Sequence, residues 1–292
     1  MVPAGAPVVA WGMATRRDTL RFDGRTALVT GASSGIGTGL AEALAARGAD
    51  LVLVARRAAA LESLAGALRS RYGVRVDVVP ADLLEPGAGA SLCDRLAELD
   101  RTVDVLVNNA GFAVSGPFAA TTDVERQLAQ VQLNCTGVVD LTARLLPGMV
   151  ARGSGTVLNV ASVAAFQPVP GLAVYAATKA FVLSFTEALW AENRRTGVRV
   201  LAVCPGPTDT PFFEVAGEDS DTGLPRRTVD QVVSTTLRAL ASGTPSVVDG
   251  PLYKALTAAT KLLPRRVLAT VAGVVATPRP RAGRERQGTA GR

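Results

Sequence analysis

Arg25-Thr-Ala-Leu-Val-Thr-Gly-Ala-Ser-Ser-Gly-Ile-Gly37 runs from a short apolar segment into a glycine turn that opens a helix. A strand followed at once by such a turn is the setting in which backbone N–H groups at a helix N-terminus cradle a phosphate. Gly31 permits the tight turn, Gly35 lets the backbone approach a pyrophosphate, and Gly37 lets the helix pack close to the strand. Gly31, Ser33, Ser34, Gly35, Ile36 and Gly37 are therefore candidate cofactor contacts. The spacing is Gly-xxx-Gly-x-Gly rather than Gly-x-Gly-xx-Gly, so taken alone a purely structural glycine turn explains it equally well.

Outward from this turn, β-rich runs at 25–30, 50–55, 75–80, 103–107, 156–161 and 198–204 alternate with helix-like segments at 36–47, 58–71, 88–99, 124–151 and 172–196. A further helix over 229–240 and a last strand over 245–248 complete the pattern. Near-continuous apolar strands such as Val103-Asp-Val-Leu-Val107 suit burial on both faces. The alternation predicts an α/β fold, a single Rossmann-like doubly wound parallel sheet with helices on both faces. The expected division is a flexible N-terminal extension over 1–22, the sheet domain over 23–250, a helical extension over 251–277 and a disordered basic tail over 278–292.

Composition narrows the chemistry. The 292 residues include no histidine, which excludes a Ser-His-Asp triad, the usual zinc sites and any imidazole base, and leaves Tyr, Lys, Asp and Glu to carry protons. Cys93, Cys135 and Cys204 form no CxxC pair, which favours buried, inert thiols in a reducing, cytoplasmic setting. The net charge is +6, but residues 278–292 hold five arginines and one glutamate, so the rest of the chain carries +2. A nucleic-acid partner is not expected from so neutral a body. The apolar run 267–276 is too short for a bilayer span, which needs about 20 residues. A core-capping helix, a dimer contact and a membrane-surface helix all fit it, so membrane contact through the C-terminal segment stands as an alternative.

The strand ends gather polar residues on one rim, where open α/β sheets bind ligands. Arg56 and Arg57 end the second strand, where an NAD-binding domain places an acid on the ribose 2′-hydroxyl. A guanidinium there suits a 2′-phosphate, so NADP(H) is expected over NAD(H), with a solvated arginine pair as the plain alternative. Asp82 and Leu83 follow the third strand and Asn108-Asn109-Ala110-Gly111 the fourth, with a helix cap and an Asn-rich turn as their structural readings. Ser162 follows the fifth strand and Pro205-Gly206-Pro-Thr208-Asp-Thr210 the sixth.

Tyr175 and Lys179 stand at i and i+4 and so share a helix face. A nearby ammonium favours phenolate and draws a tyrosine pKa down from about 10, where the group can exchange a proton during a reaction. A serine hydroxyl in the same site, Ser162, could hold a carbonyl oxygen. On these residues alone, a half-buried tyrosine beside a solvated lysine reads the same.

Together Thr30-Gly-xxx-Gly-x-Gly37, Asn108-Asn-Ala-Gly111, Asn134, Ser162, Tyr175-xxx-Lys179 and Pro205-Gly206 resemble the short-chain dehydrogenase/reductase family over residues 23–250. The resemblance implies an NAD(P)-dependent oxidoreductase acting on a small-molecule carbonyl or alcohol. Asn134, Ser162, Tyr175 and Lys179 would be its catalytic residues, with Asn134 holding a proton-relaying water. It also implies cofactor contacts at Asp82, Leu83, Asn109, Ala110, Gly111, Tyr175, Lys179, Pro205, Gly206, Thr208 and Thr210, beside the turn and Arg56. A homodimer or homotetramer built on the helices ending near Ala151 and Thr196 is implied as well. Phe112, Val163, Phe166, Phe212 and Phe213 suggest an apolar pocket, with core packing as the plain alternative, and 211–227, with its acidic stretch Glu218-Asp-Ser-Asp221, reads equally as a mobile lid or a surface loop. A non-catalytic NADP sensor on the same fold is the remaining alternative; it would have lost some of the four catalytic positions.

Overall fold

Both faces of the sheet are covered, and for that reason its strands are almost wholly apolar. The computed structural model describes residues 20–120, 123–217 and 223–276. Most of the expected N-terminal extension, the acidic stretch 218–221 of the expected lid and the basic tail 278–292 lie outside the described residues. The strands are β1 (Thr26–Thr30), β2 (Asp50–Ala55), β3 (Val76–Pro80), β4 (Val103–Asn108), β5 (Gly155–Val160), β6 (Val198–Cys204) and β7 (Ser246–Val248). All pair in parallel, in the order β3-β2-β1-β4-β5-β6-β7. After β3 the chain returns to pair β4 on the free side of β1, which makes the carboxyl ends of β1 and β4 the switch point where such sheets bind ligands.

The helices are α1 (Gly35–Ala45), α2 (Ala58–Tyr72), α3 (Ala88–Glu98), α4 (Val124–Val131), α5 (Gly137–Ala151), α6 (Ala173–Glu192), α7 (Phe212–Ala216), α8 (Val229–Ser242), α9 (Pro251–Thr260) and α10 (Arg265–Ala276). Strand side chains alternate between faces with a period of two. Ala27, Val29, Leu51 and Leu53 meet α1, α2 and α8 through Leu40, Leu44, Leu61 and Leu237. Leu28, Val52, Leu106 and Val157 meet α3 and α5 through Leu92, Leu96, Leu141 and Met149. The doubly wound sheet expected from the alternation is thus the fold observed.

The segment 124–151, expected as one helix, is broken. A π turn at Gln132–Thr136 separates α4 from α5. Its cause is Asn134, 1% exposed, whose Nδ2 donates to the Phe112 carbonyl (2.9 Å) and Thr178 Oγ1 (3.1 Å) while Oδ1 accepts from the Phe112 N–H (3.2 Å). A buried amide left without partners costs about 1–3 kcal/mol, enough to favour one wide turn over regular winding. Likewise α6 stops at Glu192 rather than 196, because Asn193 turns its side chain back onto the Leu189 carbonyl (2.8 Å).

Two buried polar clusters fix the sheet's upper edge. Thr30 Oγ1 donates to the Val107 carbonyl (3.1 Å) and accepts from the N–H groups of Asn109 and Ala110 (3.0 Å each). Asn109 Nδ2 donates back to the carbonyls of Thr30 (2.9 Å) and Gly31 (3.2 Å), so the two diverging strand ends are locked together. Deeper, Asn108 Nδ2 donates to Asn159 Oδ1 (2.9 Å) and Thr142 Oγ1 (3.1 Å), and Asn159 Nδ2 to Thr186 Oγ1 (2.9 Å). This chain ties β4 and β5 to α5 and α6. Asn159→Ala strands a buried N–H of Asn108 and removes the donor to Thr186 Oγ1, which keeps its own bond to the Val182 carbonyl, and is expected to cost about 2–3 kcal/mol and roughly 4–12 °C in Tm. Urea and thermal unfolding measure it, and a loss below about 0.5 kcal/mol, the size of an ordinary surface change, would contradict the network's role.

Candidate active site

The glycine turn lies flat between two neighbours. Gly31 and Gly35 have φ of +64° and +58°, a region L side chains rarely adopt. A Cβ at Gly31 would stand 2.8 Å from Asn109 Nδ2, and one at Gly35 2.9 Å from Thr210 Cγ2. Gly37 lies beneath the turn, where a Cβ would collide with the Gly31 carbonyl. The Arg57 guanidinium donates to the Ser33 carbonyl (3.1 Å) and hydroxyl (3.0 Å), a pin on the turn that the sequence gives no sign of. Arg56 instead reaches outward, its side chain 72% exposed and its Nη1 3.8 Å from Asp82 Oδ2. So long and exposed a pair contributes little, and leaves the guanidinium available to an anion.

A cavity of about 1010 Å³ runs from this turn across the strand ends to α9 and α10. Its size is at the upper end for small-molecule and cofactor sites. One end is walled by Gly31, Ser33, Ser34, Gly35, Ile36, Arg56, Asp82 and Leu83, with Asn109, Ala110 and Gly111 along the floor. Ser162, Tyr175, Lys179, Pro205, Gly206, Thr208 and Thr210 line the other half. Of the catalytic and cofactor-contact residues expected from the sequence, Gly37 and Asn134 alone stand behind the wall. Phe112, Val163, Phe212 and Phe213 reach the cavity. Phe166 does not: it packs with Val138 and Val182 behind β6, because the 3-10 turn Val163–Phe166 points it into the core.

At the far half, Tyr175 is 9% exposed and packs on Phe212, ring centroids 5.6 Å apart. Ser162, in extended backbone at the end of β5, accepts from the Ala164 N–H at 3.1 Å. Lys179 Nζ donates to the Val160 carbonyl at 2.7 Å and stands 5.8 Å from the Tyr175 ring centroid. Burial pushes the Tyr175 pKa up to about 12, offset only in part by the Ser162 hydroxyl. Burial likewise brings Lys179 down to about 8. The depression of the tyrosine by the lysine, expected from their spacing, is therefore not found in this state. Both groups are buried, and the ammonium is turned onto a backbone carbonyl rather than the phenol. Of the thiols expected to be buried, only Cys204 is; Cys93 and Cys135 are half-exposed.

Other contributors carry no signal in sequence. Gln130 Oε1 accepts from the Val114 N–H (2.8 Å) and helps Asn134 hold 112–114. Thr208 and Arg227 pair as a β-bridge, and the Arg227 guanidinium is 2.8 Å from the buried carboxylate of Asp249, so the segment that carries α7 is tied at both ends. The Tyr253 ring fills the space where a side chain at Gly206 would lie, and its hydroxyl donates to the Pro225 carbonyl at 2.5 Å. That contact seats α9 on the cavity as its outer wall, a role that short apolar helices do not announce.

The cleft fits an extended dinucleotide. Its floor is bare backbone where a Cβ at Gly111 would stand 2.8 Å from Asn134 Oδ1, and its turn end offers a helix N-terminus beside an arginine. A family profile described as short chain dehydrogenase matches residues 25–221. Oxidoreductase UcpA of Escherichia coli O157:H7 is 36% identical over 223 residues, covering 76% of this chain and 84% of that one. The very-long-chain 3-oxoacyl-CoA reductase of Anas platyrhynchos is 34% identical over 231 residues, covering 77% and 73%. Among solved structures, a short-chain dehydrogenase from Sphingobium yanoikuyae in complex with NADPH superposes with a TM-score of 0.72 at 39% identity, covering 81% of this chain and 94% of that one.

The buried lysine makes stability depend on pH with a definite sign. Between about 8 and its ordinary 10.5, the unfolded chain binds a proton that the folded chain has released, so stability rises with pH across that window. The tyrosine acts above it: the folded chain keeps its proton between 10 and about 12, so that contribution is present below pH 10 and lost as pH climbs. Wild type should therefore gain stability relative to Lys179→Met between pH 8 and 10.5 in urea titrations; parallel curves would count against the burial of the ammonium.

Proposed function

The chain belongs to the short-chain dehydrogenase/reductase family, and we propose that it is an NADP(H)-dependent oxidoreductase that reduces the carbonyl of an apolar small molecule, or oxidises the corresponding secondary alcohol. The reading is carried by one arrangement. Ser162 and Tyr175 line one half of a cavity whose other half is the glycine turn. Bound NADPH supplies the hydride at such a site, while the protein supplies orientation and the proton.

Ser162 Oγ holds the carbonyl oxygen by donating to it, which also polarises the bond. Tyr175, neutral over the physiological range, carries the proton that this oxygen takes up as it becomes an alkoxide, a stronger base than phenolate. Reduction is thus the direction in which the resting protonation state is already correct. Lys179, positive at neutral pH, keeps its place through the Val160 carbonyl and reaches the ribose side of the cleft. Asn134 has both N–H donors engaged but keeps a lone pair on Oδ1, the position from which it holds a relaying water. Arg56 takes the 2′-phosphate in place of its loose pairing with Asp82. The NADPH-bound relative from Sphingobium yanoikuyae supports this choice of cofactor.

The far walls are apolar, with Phe212, Phe213, Leu224 and Leu263 exposed to the cavity, which supports an apolar substrate. Exposed Val124, Leu128 and Val131 on α4, Val150 on α5 and Phe181 on α6 support a homodimer or homotetramer across those helices. Thiols without disulfide partners among the described residues support a reducing, cytoplasmic setting.

Tyr175→Phe should lower kcat by about 10²–10⁴-fold while NADPH still binds, as followed by its fluorescence; near-normal turnover of a ketone panel would overturn the assignment. Arg56→Glu should shift the ratio of kcat/KM for NADPH over NADH toward NADH by about tenfold or more, equivalent to about 1.4 kcal/mol. An unchanged ratio would remove Arg56 from the 2′-phosphate site.

A further inference from the structure

We infer that α9, α10 and the turn between them dock on an anionic lipid surface and present the mouth of the cavity to it. The inward side of this segment is seated, with Tyr253, Thr257 and Leu268 each 8% exposed or less. Its outward side is not. Leu262 in the turn is 85% exposed, and Leu252, Leu256, Leu263 and Val267 are each 42–45% exposed. Leu256 and Leu263 also line the cavity, together with Leu268 and Ala272. Apolar surface therefore runs from the turn at Leu262 and Leu263 into the cavity.

The charges carried by α9, α10 and the turn between them are of one sign, while Glu214 lines the cavity from α7. Lys254, Lys261, Arg265 and Arg266 are exposed, and residues 251–276 contain no acid. Over 251–292 the sequence holds nine of the chain's 31 lysines and arginines and one of its 25 acids, which gives +8 there and leaves −2 for residues 1–250. Lys261, Arg265 and Arg266 form no ion pair with a described residue. Protruding leucines ringed by cations match a bilayer interface with anionic headgroups, where the apolar side chains enter the acyl boundary and the cations meet phosphate. At 12 residues, α10 is about 18 Å long, short of the roughly 30 Å of a hydrocarbon core, and no helix among the described residues can cross a membrane. The geometry is that of an element lying on the surface. A second copy of the chain fits less well, because a two-fold interface would set this cationic patch against itself. Entry of a lipid-dissolved ketone through the docked mouth rests on the reductase reading above; the docking does not.

The test floats the full-length protein with vesicles of phosphatidylcholine containing about one-third phosphatidylglycerol, and with phosphatidylcholine alone. Wild type is expected to float with the anionic vesicles and to lose most of that binding in high salt or on neutral vesicles. Leu262→Asp, and separately Lys261→Glu with Arg265→Glu and Arg266→Glu, should each reduce flotation about tenfold or more. All retain the basic tail, the wild-type melting temperature and turnover of a water-soluble ketone. Wild type that stays with the unbound fraction overturns the inference. So does Leu262→Asp floating like wild type, which would leave binding to the tail, or a loss of oligomer in that variant without any wild-type flotation, which would assign the face to a second copy. Flotation without NADPH-dependent turnover would sink the reductase reading and leave the docking intact.

Discussion

One hydroxyl holds the upper edge of the sheet together. Thr30 Oγ1, at the end of β1 and 1% exposed, binds the β4 carbonyl of Val107 and the two N–H groups that follow β4, while Asn109 binds back to the β1 end. At that point adjacent parallel strands must part to leave a crevice, and each parting strand exposes backbone groups that no ladder satisfies. Closing those groups with two side chains lets the crevice exist without orphaned polar atoms. The positions of Gly31, Ala110 and Gly111, and through them of everything that lines the cleft, follow from this pair. A serine could make the same bonds, but a β-branched residue holds its rotamer more firmly in a strand.

In the far half of the cavity, burial outweighs charge. Tyr175 and Lys179 sit on one helix face, yet the field of the ammonium does not bring the phenol down, because both groups have been taken from water and the lysine has found a carbonyl. The result is a phenol that keeps its proton and an ammonium poised closer to release than usual. With no histidine in the chain, no other side chain has its ordinary pKa near 7. The cavity thus holds two buried titratable groups whose values the fold has moved in opposite directions.

Much of this was legible in the sequence for simple reasons. Strands buried on both faces read as apolar runs such as Val103-Asp-Val-Leu-Val107, and the residues at their carboxyl ends project to one rim whatever the details of packing. Glycines 31 and 35 are legible because only their backbone freedom suits the turn. What was hidden depends on the third dimension. The break at Gln132–Thr136 is made by Asn134 finding Phe112 and Thr178, residues distant in sequence, whereas Pro147, the strongest helix breaker in 124–151, lies inside α5 and does not mark it. Phe166 is turned away from the cavity by a 3-10 turn no longer than the segment itself. The pKa values answer to enclosure, which a spacing of four residues cannot report, and the wall formed by α9 rests on Tyr253 fitting a glycine 47 positions away.

The π turn also has a genetic meaning. A wide turn holds one residue more than an α-helix would use, so it is equivalent to a single-codon insertion. Deleting one codon within 132–136 would let α4 and α5 wind as one regular helix with little change in the bearing of either, because the wide turn already takes up the extra residue locally. The amide of residue 134 would leave Phe112 and Thr178, while the outward stripe of Val124, Leu128 and Val131 would keep nearly its present bearing. A reading-frame-preserving loss of three nucleotides could thus release the loop at Phe112 from its buried amide while the external face of α4 and the hydrophobic core stay in place.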